Sequence, residues 1–419
     1  MSGIKNKIII LSDIHIGTNE PTNWYQSSIH QPYLVAALDY VIANSAGISE
    51  LVLLGDLVDF WTYLPDQTPP DFYNDLPSVK TIVGANPGIF GFNKPASMGP
   101  LAKASVMVDK CVFIPGNHDM TMTQDMLNKI FGAKITLEKA GFYSPMGDKH
   151  IVCTHGHDFS MMCAPDFEKA NALSPLPIGY YATRAGAYYA NQQLKKSGKK
   201  NVAELPNTGE PSGVNFTDAD YADIVAYAAT HSVGAGIADA IYKVTGFGWD
   251  STITLPQVAG HSWPKTTTLD KAGSNFSDLF DTWKNKTSPN GEKLGYTGAW
   301  KALKDPDVDN NLAPYAKEIA QSSLSKIVVM GHTHVPLDGK SALQELKTES
   351  GSNFIYANSG FNCPSVPDMN NTANPKHPTF IEIEVLKSGY AVSVRKIVHT
   401  NGVYKVADKP LMGPVTISA

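Results

Sequence analysis

Short apolar segments that end at polar clusters are the dominant pattern of this chain. The segments are Ile8–Leu11, Leu51–Leu54, Val112–Ile114, Ile151–Cys153 and Ile327–Met330. Continuous apolar runs of this length are typical of strands that are buried on both faces of a central sheet. The pattern therefore predicts a sheet whose strands each lead directly into a group of polar side chains.

Helical spacing of apolar residues predicts a helix over Pro32–Ala46, between the first two strands. The chain thus begins as strand, helix, strand, which is typical of an α/β fold. Further strands are predicted at Phe354–Ala357, Phe380–Val385 and Ala391–Val398, and the last two are joined by a hairpin at Lys387–Gly389. The C-terminal part of the chain is therefore expected to be rich in sheet.

Two segments are too long to be ordinary connections. Residues 61–104 are rich in Pro and Gly, and we predict an irregular inserted lobe with little helix or strand. Residues 161–324 are predicted to be a mainly helical insertion, and residues 1–160 and 325–419 form the core. The predicted helices of the insertion are Tyr180–Lys196, Thr217–Val244 (opened by a capping box of Thr217 and Asp220), Asp278–Lys286 and Tyr315–Leu324.

Composition and charge limit the class of protein. The 419 residues are 42% hydrophobic and 17% charged, which excludes a disordered polyelectrolyte. The net charge of −5 gives no strong nucleic-acid signature and no attraction to an anionic membrane. No apolar segment approaches the ~18 residues of a membrane span. The 4 cysteines form neither a disulfide framework nor a CxxC pair, and we predict a cytoplasmic protein.

The polar clusters after the five strands contain the residues with the most evident chemistry. In chain order they are Asp13-Ile14-His15-Ile16-Gly17, Gly55-Asp56-Leu57-Val58-Asp59, Gly116-Asn117-His118-Asp119, His155-Gly156-His157 and Gly331-His332-Thr333-His334. Because the carboxyl ends of strands in an α/β sheet share one edge, we expect these clusters to converge. Carboxylates, imidazoles and an amide suit Mn²⁺, Fe²⁺ or Fe³⁺, Zn²⁺, Co²⁺ or Ni²⁺, whereas a structural zinc site prefers cysteine.

This series of clusters resembles the motifs DxH, GDxxD, GNH(D/E), H and GHxH of the calcineurin-like metallophosphoesterase superfamily. The resemblance covers about residues 4–160 and 325–400 and leaves the two long segments unexplained. It implies an α/β fold in which two sheets lie between helical layers, an αββα sandwich. It also implies a centre of two divalent metal ions at the loop edge of the sandwich, with a metal-bridging hydroxide as the nucleophile.

The resemblance also implies a role for individual residues. The implied metal ligands are Asp13, His15 and His334 on the first ion, Asn117, His155 and His332 on the second, and Asp56 between them. His118 is expected to face the phosphoryl group, where it stabilises transition-state charge or protonates the leaving oxygen. Asp119 is expected to orient the His118 imidazole, and Asp59 to support its own loop.

Two residues are candidate substrate contacts. His157 is expected either to lie behind the ligands or to touch the substrate. Asn358 follows the strand after the last motif, in a position that resembles a loop closing over the site in related proteins, and a simple strand-end turn explains it equally well.

The helical insertion begins just after His155 and ends just before His332, so both its ends lie beside the predicted metal centre. We expect it to cap the site and to select the substrate, and the alternative is an oligomerisation element. Its tyrosines at 180, 181, 188 and 189 recur along one side of a helix. They form either a core stripe or, as a hypothesis, a surface in which some of them, together with Trp249, Trp263 or Trp61, stack on a nucleobase or cover a lipid chain.

The sequence therefore predicts a metallophosphoesterase, a hydrolase that cleaves a phosphomonoester, phosphodiester or pyrophosphate bond of a small-molecule or nucleotide-like substrate. One alternative is a nuclease or cyclic-nucleotide phosphodiesterase of the same superfamily. Another is a catalytically silent metal-binding scaffold that works through its insertions. The oligomeric state is left open.

Overall fold

The structure is a computed structural model that describes residues 5–73, 78, 80–91, 98–165, 173, 176–205, 216–256, 263–287, 293–304, 306, 311–334, 342–361 and 377–419. Its strands are β1 (Lys7–Leu11), β2 (Ile48–Leu54), β3 (Lys110–Ile114), β4 (Ile135–Leu137), β5 (Ile151–Cys153), β6 (Thr252–Thr254), β7 (Thr266–Thr268), β8 (Ile327–Met330), β9 (Leu343–Lys347), β10 (Asn353–Asn358), β11 (Thr379–Leu386), β12 (Gly389–Thr400), β13 (Val403–Val406) and β14 (Met412–Ser418). Its helices are α1 (Ser27–Ala43), α2 (Ile82–Ala85), α3 (Pro87–Phe90), α4 (Pro100–Met107), α5 (Gln124–Phe131), α6 (Ile178–Ser197), α7 (Asp218–Ala228), α8 (Val233–Thr245), α9 (Leu269–Asn285), α10 (Gly295–Lys304) and α11 (Ala313–Ser323).

Two sheets contain the predicted strands. The larger has the strand order β13-β12-β11-β1-β2-β3-β4, with β14 paired to β12, and the smaller has the order β5-β8-β10-β9. Strands β1, β2 and β3 are parallel in the larger sheet, as are β5, β8 and β10 in the smaller one. The predicted hairpin joins β11 to β12.

Alternating side chains along β1 place the sheets between helical layers. Ile8 and Ile10 pack between the two sheets, against Ile151 and Ile327 of the smaller sheet. Ile9 and Leu11 point to the opposite face, in a core cluster that includes residues of α1 and α4. The outer face of the smaller sheet packs against α11. The predicted α/β class with a two-sheet sandwich is therefore confirmed.

Helix α11 lies within the segment predicted as insertion, but it belongs structurally to the sandwich. Ala316, Ile319 and Ala320 pack against Val328 and Phe354 of the smaller sheet. The sequence analysis assigned this helix to the cap because it precedes β8 in the chain. Its apolar face covers the sheet instead.

The insertion is helical, as its sequence predicts, with two differences. The segment predicted as one helix from Thr217 is divided into α7 and α8, because Ser232 accepts a 3.1 Å hydrogen bond from the Ala235 N–H and so starts a new helix. The capping box is confirmed, since Thr217 and Asp220 bond to each other's backbone N–H groups. Helix α10 was not predicted.

The described residues of the Pro-rich lobe contain little helix or strand, as the sequence analysis expected. The lobe has the four-residue helices α2 and α3 and the first part of α4, which continues to Met107. Pro87 and Pro100 each stand in the first turn of a helix, where the missing N–H has no helical partner to lose.

Within the described part of the chain, no helix combines the length and the hydrophobicity needed to cross a bilayer. The insertion shares one core cluster with the sandwich, and Tyr180 and Tyr181 of α6 are buried in it. These two tyrosines therefore pack as core residues.

Candidate metal centre

The parallel strands of both sheets carry the predicted ligands to one place: Asp13 and His15 after β1, Asp56 after β2, Asn117 after β3, His155 after β5, and His332 and His334 after β8. Backbone hydrogen bonds join the first two of these loops. The Asp13 N–H donates to the Gly55 carbonyl over 3.1 Å, and the His15 N–H donates to the Asp56 carbonyl over 2.8 Å.

Backbone strain is concentrated at the predicted ligands. Asp13, His15, Asp56, His332 and His334 all have positive φ angles, between 52° and 70°. The left-handed region costs a non-glycine residue roughly 1–2 kcal/mol. Such strain persists only where the surrounding structure imposes it, and it is concentrated at functional sites. The fold therefore holds these side chains in an arrangement that the local backbone does not favour.

The first group of donor atoms comes from Asp13, His15, Asp56 and His334, which are all buried. His15 Nε2 lies 2.9 Å from His334 Nε2 and 3.7 Å from Asp56 Oδ2, and His334 Nε2 lies 3.6 Å from Asp13 Oδ1. Burial, followed by the charge of His15, holds the pKa of His334 well below its usual range. This imidazole is therefore kept neutral, which is the form that binds metal ions.

The second group comes from Asp56, His155 and His332, with Asn117 Oδ1 lying 3.1 Å from His332 Nδ1. His155 Nδ1 lies 2.8 Å from the Leu54 carbonyl, to which it donates. This bond fixes the tautomer and leaves Nε2 as the ligand atom. Nε2 lies 3.2 Å from Asp56 Oδ2 and has no hydrogen-bond partner among the described residues.

Asp56 belongs to both groups. Its Oδ1 accepts a 2.8 Å hydrogen bond from the His118 N–H, and Oδ2 faces His15 and His155. Burial alone would raise the pKa of the Asp56 carboxyl, but the charges of His155 and then His118 hold it well below its usual range. An ionised carboxylate oxygen therefore lies between the two groups.

The donor set fits divalent cations. Within each group the oxygen and nitrogen atoms lie no more than 4.8 Å from one another. Burial would lower the pKa of His155, but the charges of Asp56 and Asp13 outweigh it and raise the pKa to about 10. The negative charges of Asp56 and Asp13 thus attract positive charge to Nε2. A cation bound there would be stabilised by the same charges that stabilise a proton.

The carboxylate against the His118 ring is that of Asp59. His118 Nδ1 lies 3.0 Å from Asp59 Oδ1. Burial would raise the pKa of the Asp59 carboxyl, but the charge of His118, the hydrogen bond from His118 and the nearby His15 imidazole, 3.6 Å away, hold it well below its usual range. The sequence analysis expected Asp119 at this position, and the structure places Asp59 there instead.

Asp119 links the loops that follow β2 and β3. Its carboxylate accepts hydrogen bonds from the backbone N–H groups of Gly116, over 2.7 Å, and Leu57, over 2.8 Å, and longer ones from Asp56 and Val58. Burial, and then the charge of Asp56, raise the pKa of the Asp119 carboxyl, and the Gly116 and Val58 N–H groups oppose that rise. Asp119 follows His118 in the sequence, but its carboxylate binds backbone N–H groups of the two loops and so stabilises their conformation.

Residues 6–207 match the family model of the calcineurin-like phosphoesterases. This match, over just under half of the chain, supports a phosphoesterase, that is, a hydrolase that acts on ester bonds, as the sequence predicts. The matched range contains the motifs from Asp13 to His155 and ends before His332 and His334, which the fold brings into the same centre.

No curated protein sequence matches the phosphoesterase. Among solved structures it is similar to a conserved uncharacterised protein from Streptococcus pneumoniae that is described as a predicted phosphoesterase. The identity is 9%, the alignment covers 96% of this chain and 97% of that chain, and the TM-score is 0.27. A similarity this low supports no conclusion about the function of the phosphoesterase.

The two candidate substrate contacts lie beside the ligands of the phosphoesterase. The His157 ring is buried 5.3 Å from that of His155, and burial lowers its pKa to about 4. The Asn358 amide donates to the Gly331 carbonyl over 3.0 Å and accepts from the Gly360 N–H over 3.2 Å. Asn358 thus supports the turn of the last motif, which agrees with the alternative of a simple strand-end turn.

Two tryptophans lie beside the centre of the phosphoesterase. Sequence reasoning missed Trp24 and named Trp61 only as a candidate for stacking on a substrate. The Trp24 ring lies 4.7 Å from His15, 5.0 Å from His118 and 5.4 Å from His334, and its indole N–H has no hydrogen-bond partner among the described residues. The Trp61 ring is stacked on His118 at 4.3 Å. Trp61 follows the second motif directly, and this proximity in sequence was the available signal.

Proposed function

We propose that this phosphoesterase holds two divalent cations and uses them to hydrolyse a phosphomonoester, phosphodiester or pyrophosphate bond of a small-molecule or nucleotide-like substrate. Asp13, His15 and His334 hold the first cation, Asn117, His155 and His332 hold the second, and Asp56 binds both. Two such cations ~3.5–4 Å apart lower the pKa of a shared water toward neutrality and polarise a phosphoryl oxygen.

Asp56 is the observation that carries this proposal. It is the residue common to the two groups of donor atoms, and its Oδ1 is fixed by the His118 N–H while Oδ2 lies between His15 and His155. A carboxylate with a purely structural role does not have to lie between imidazoles from two groups of donors. A carboxylate that binds two cations has to lie there.

His118 acts on the substrate in this proposal. Its imidazole stabilises charge on the transferred phosphoryl group or gives a proton to the leaving oxygen. The Asp59 carboxylate, 3.0 Å from Nδ1, accepts the proton of Nδ1 in a hydrogen bond. This bond orients the ring so that Nε2 points away from Asp59. Asp59 thus takes the orienting role that the sequence analysis gave to Asp119.

The charge of the site favours a phosphate. Two divalent cations bring four positive charges, whereas Asp13 and Asp56 supply two negative ones, so a net charge of about +2 is left for the substrate. A chain with a formal charge of −5 therefore still attracts an anion locally.

Metal reconstitution tests the proposal. The purified protein is stripped with chelator, loaded separately with Mn²⁺, Fe²⁺, Zn²⁺, Co²⁺ or Ni²⁺, and assayed against p-nitrophenyl phosphate, its bis-ester, nucleotides, cyclic nucleotides and nucleotide-sugars. We expect metal-dependent hydrolysis and two metal equivalents per chain by mass spectrometry of the metal. Full activity after chelation, or a single metal equivalent at full activity, would overturn it.

The same panel separates the alternatives. Hydrolysis of cyclic nucleotides above all other substrates would indicate a phosphodiesterase. Two bound metals without hydrolysis of any substrate would indicate a scaffold. We further propose a cytoplasmic location, which the free, buried thiols of Cys111 and Cys153 support.

A further inference from the structure

The His118 ring is enclosed by aromatic neighbours. Trp61 is stacked on one face, with a centroid distance of 4.3 Å and an interplanar angle of 29°. Trp24 lies at 5.0 Å and the edge of His15 at 4.6 Å. The Asp59 bond fixes one atom of the ring and leaves its plane free to turn, and Trp61, stacked on one face, opposes that rotation.

Two contacts hold Trp61 itself. Its backbone N–H donates a 2.7 Å hydrogen bond to Asp59 Oδ1, the oxygen that also faces His118 Nδ1. Its ring lies against the start of α6, in edge contact with Tyr180 at 5.9 Å. A Cβ on Gly179 would come within 3.3 Å of Trp61 Cζ3, so α6 and the indole ring are in close contact.

Arg184, one turn further along α6, binds the loop that follows Trp61. Its side chain is fully buried. Its Nη2 donates to the carbonyl oxygens of Leu64, over 2.7 Å, and Pro65, over 3.1 Å, and also to that of Gln67. One guanidinium nitrogen therefore gathers three carbonyl groups of a loop that begins three residues after Trp61.

Burial of this guanidinium is energetically unfavourable, which indicates that the arginine has a specific role. Nε and Nη1 have no hydrogen-bond partner among the described residues, and the carbonyl groups offer only partial charges. The Tyr180 ring, 5.8 Å from the guanidinium carbon, adds a cation–π contact, but burying an incompletely paired charge remains unfavourable. A leucine or methionine would fill the same space at lower cost, so the loop geometry is what the arginine supplies.

We propose that Trp61 is a positioning residue for His118, and that Arg184 of the helical insertion holds Trp61 in place through the loop Leu64–Gln67. The inference rests on the proposed role of His118. It makes the insertion part of the catalytic machinery, because the plane of the reacting imidazole depends on a residue of α6.

A leaving-group comparison distinguishes positioning from general stability. The alkoxide that leaves from an alkyl phosphate such as glycerol 2-phosphate is a strong base and needs the proton of His118, whereas p-nitrophenolate leaves readily without one. Trp61→Leu should therefore lower kcat for the alkyl ester about 10- to 100-fold, with a much smaller loss for p-nitrophenyl phosphate and an unchanged KM. Trp61→Phe keeps an aromatic face and should restore most of the loss.

Arg184→Met should shift the ratio of the two kcat values in the same direction as Trp61→Leu. Because a buried arginine variant can fail to fold, Gly179→Ala tests the contact between α6 and Trp61 directly. Its added methyl group would come within 3.3 Å of the indole ring, and also within 3.0 Å of Cys163 Sγ and 3.1 Å of the Met162 carbonyl oxygen. Arg395→Met is the matched control. Arg395 is the other arginine of the chain, it donates to the Ala407 carbonyl over 2.9 Å, and its substitution should leave the ratio unchanged.

Histidine NMR provides a readout that does not depend on activity. In Zn²⁺-loaded protein labelled at the histidine rings, the indole of Trp61 shifts the His118 ring signals, and Arg184→Met and Gly179→Ala should move them toward their positions in Trp61→Leu. Folded variants with unchanged signals and an unchanged kcat ratio would overturn the inference. If the wild-type protein hydrolyses no phosphate ester, the proposed function fails, and the NMR comparison still decides whether Arg184 controls the Trp61–His118 contact.

Discussion

The backbone N–H of His118 donates a 2.8 Å hydrogen bond to Oδ1 of Asp56. The residue proposed to act on the substrate is thereby tied to the carboxylate that both ligand groups share. Any change that moves Asp56 is expected to affect both metal binding and the position of His118, which guides the predictions that follow.

Asp56→Asn should lose metal and activity together. The substitution removes the negative charge between the two groups of donors and places an amide between His15 and His155. Metal content per chain and hydrolysis of p-nitrophenyl phosphate measure the two effects. Asp39→Asn, at an exposed position on α1, is the control and should change neither. A variant at position 56 that keeps two metals at full activity would rule out the bridging role.

His118→Ala should keep its metal ions but lose ~10²–10⁴-fold in rate. The side chain is buried beside the ligand groups, and its backbone N–H, which supports Asp56, survives the substitution. Metal analysis and kcat are measured on the same sample, with the exposed His231→Ala as the control. Loss of metal from the position 118 variant would mean that His118 is itself a ligand.

Asp59→Asn and Asp119→Asn should have different consequences. Asp59 faces His118 Nδ1 at 3.0 Å, so its amide variant should lower kcat more for alkyl phosphates than for p-nitrophenyl phosphate. Asp119 accepts backbone hydrogen bonds from two loops, so its variant should lower the free energy of unfolding by about 1.5–3 kcal/mol. Kinetics with both substrates and chemical denaturation measure these effects. If instead the Asp119 variant changed the ratio of the kcat values and the Asp59 variant changed only stability, Asp119 would be the residue that orients His118.

Gly116→Ala should abolish metal binding although it removes no ligand. A Cβ at this position would overlap Asp56 Oδ1 and would come within 2.7 Å of the Asp56 backbone nitrogen, so the shared carboxylate has to move. Gly47→Ala is the control, because the nearest atom to its added Cβ lies 3.8 Å away. Titration calorimetry with Mn²⁺ compares the two variants. Unchanged Mn²⁺ affinity in the position 116 variant would show that the loop after β3 can move without disturbing the metal site.

Thr217→Ala should destabilise the insertion by about 1 kcal/mol, which is the usual effect of losing an N-cap. Thr217 and Asp220 form the capping box of α7, and the pair is exposed. A small decrease in Tm with unchanged kcat is expected. Thr217→Ser retains the hydroxyl and should behave as the wild type. A loss of activity in the alanine variant would show that α7 is coupled to the site.

The fold class and most elements could be predicted because their signals are local. Strands β5 and β8 coincide with the apolar runs Ile151–Cys153 and Ile327–Met330. Helix propensity and caps also act within a few residues, and Thr217 was identified on that basis. Helix α11 was assigned to the wrong layer because the surface against which an amphipathic helix packs lies elsewhere in the chain.

The partner of His118 could not be predicted from neighbours in sequence. Asp119 is adjacent in the chain, but residues adjacent to each other after a strand point in different directions. Asp59 is 59 residues away and faces the ring because the loops after β2 and β3 lie side by side. The same proximity of loops turns the Asp119 carboxylate toward the backbone of residues 56–58.

The sequence by itself determined the kinds of donor atoms and the strands after which they occur, because both are properties of single residues and short segments. Only the tertiary structure decided which carboxylate holds His118, and that Arg184 reaches the loop beside Trp61. These relationships depend on distances between segments that are remote in the chain, and such distances are set by the packing of the two sheets and the insertion around one core.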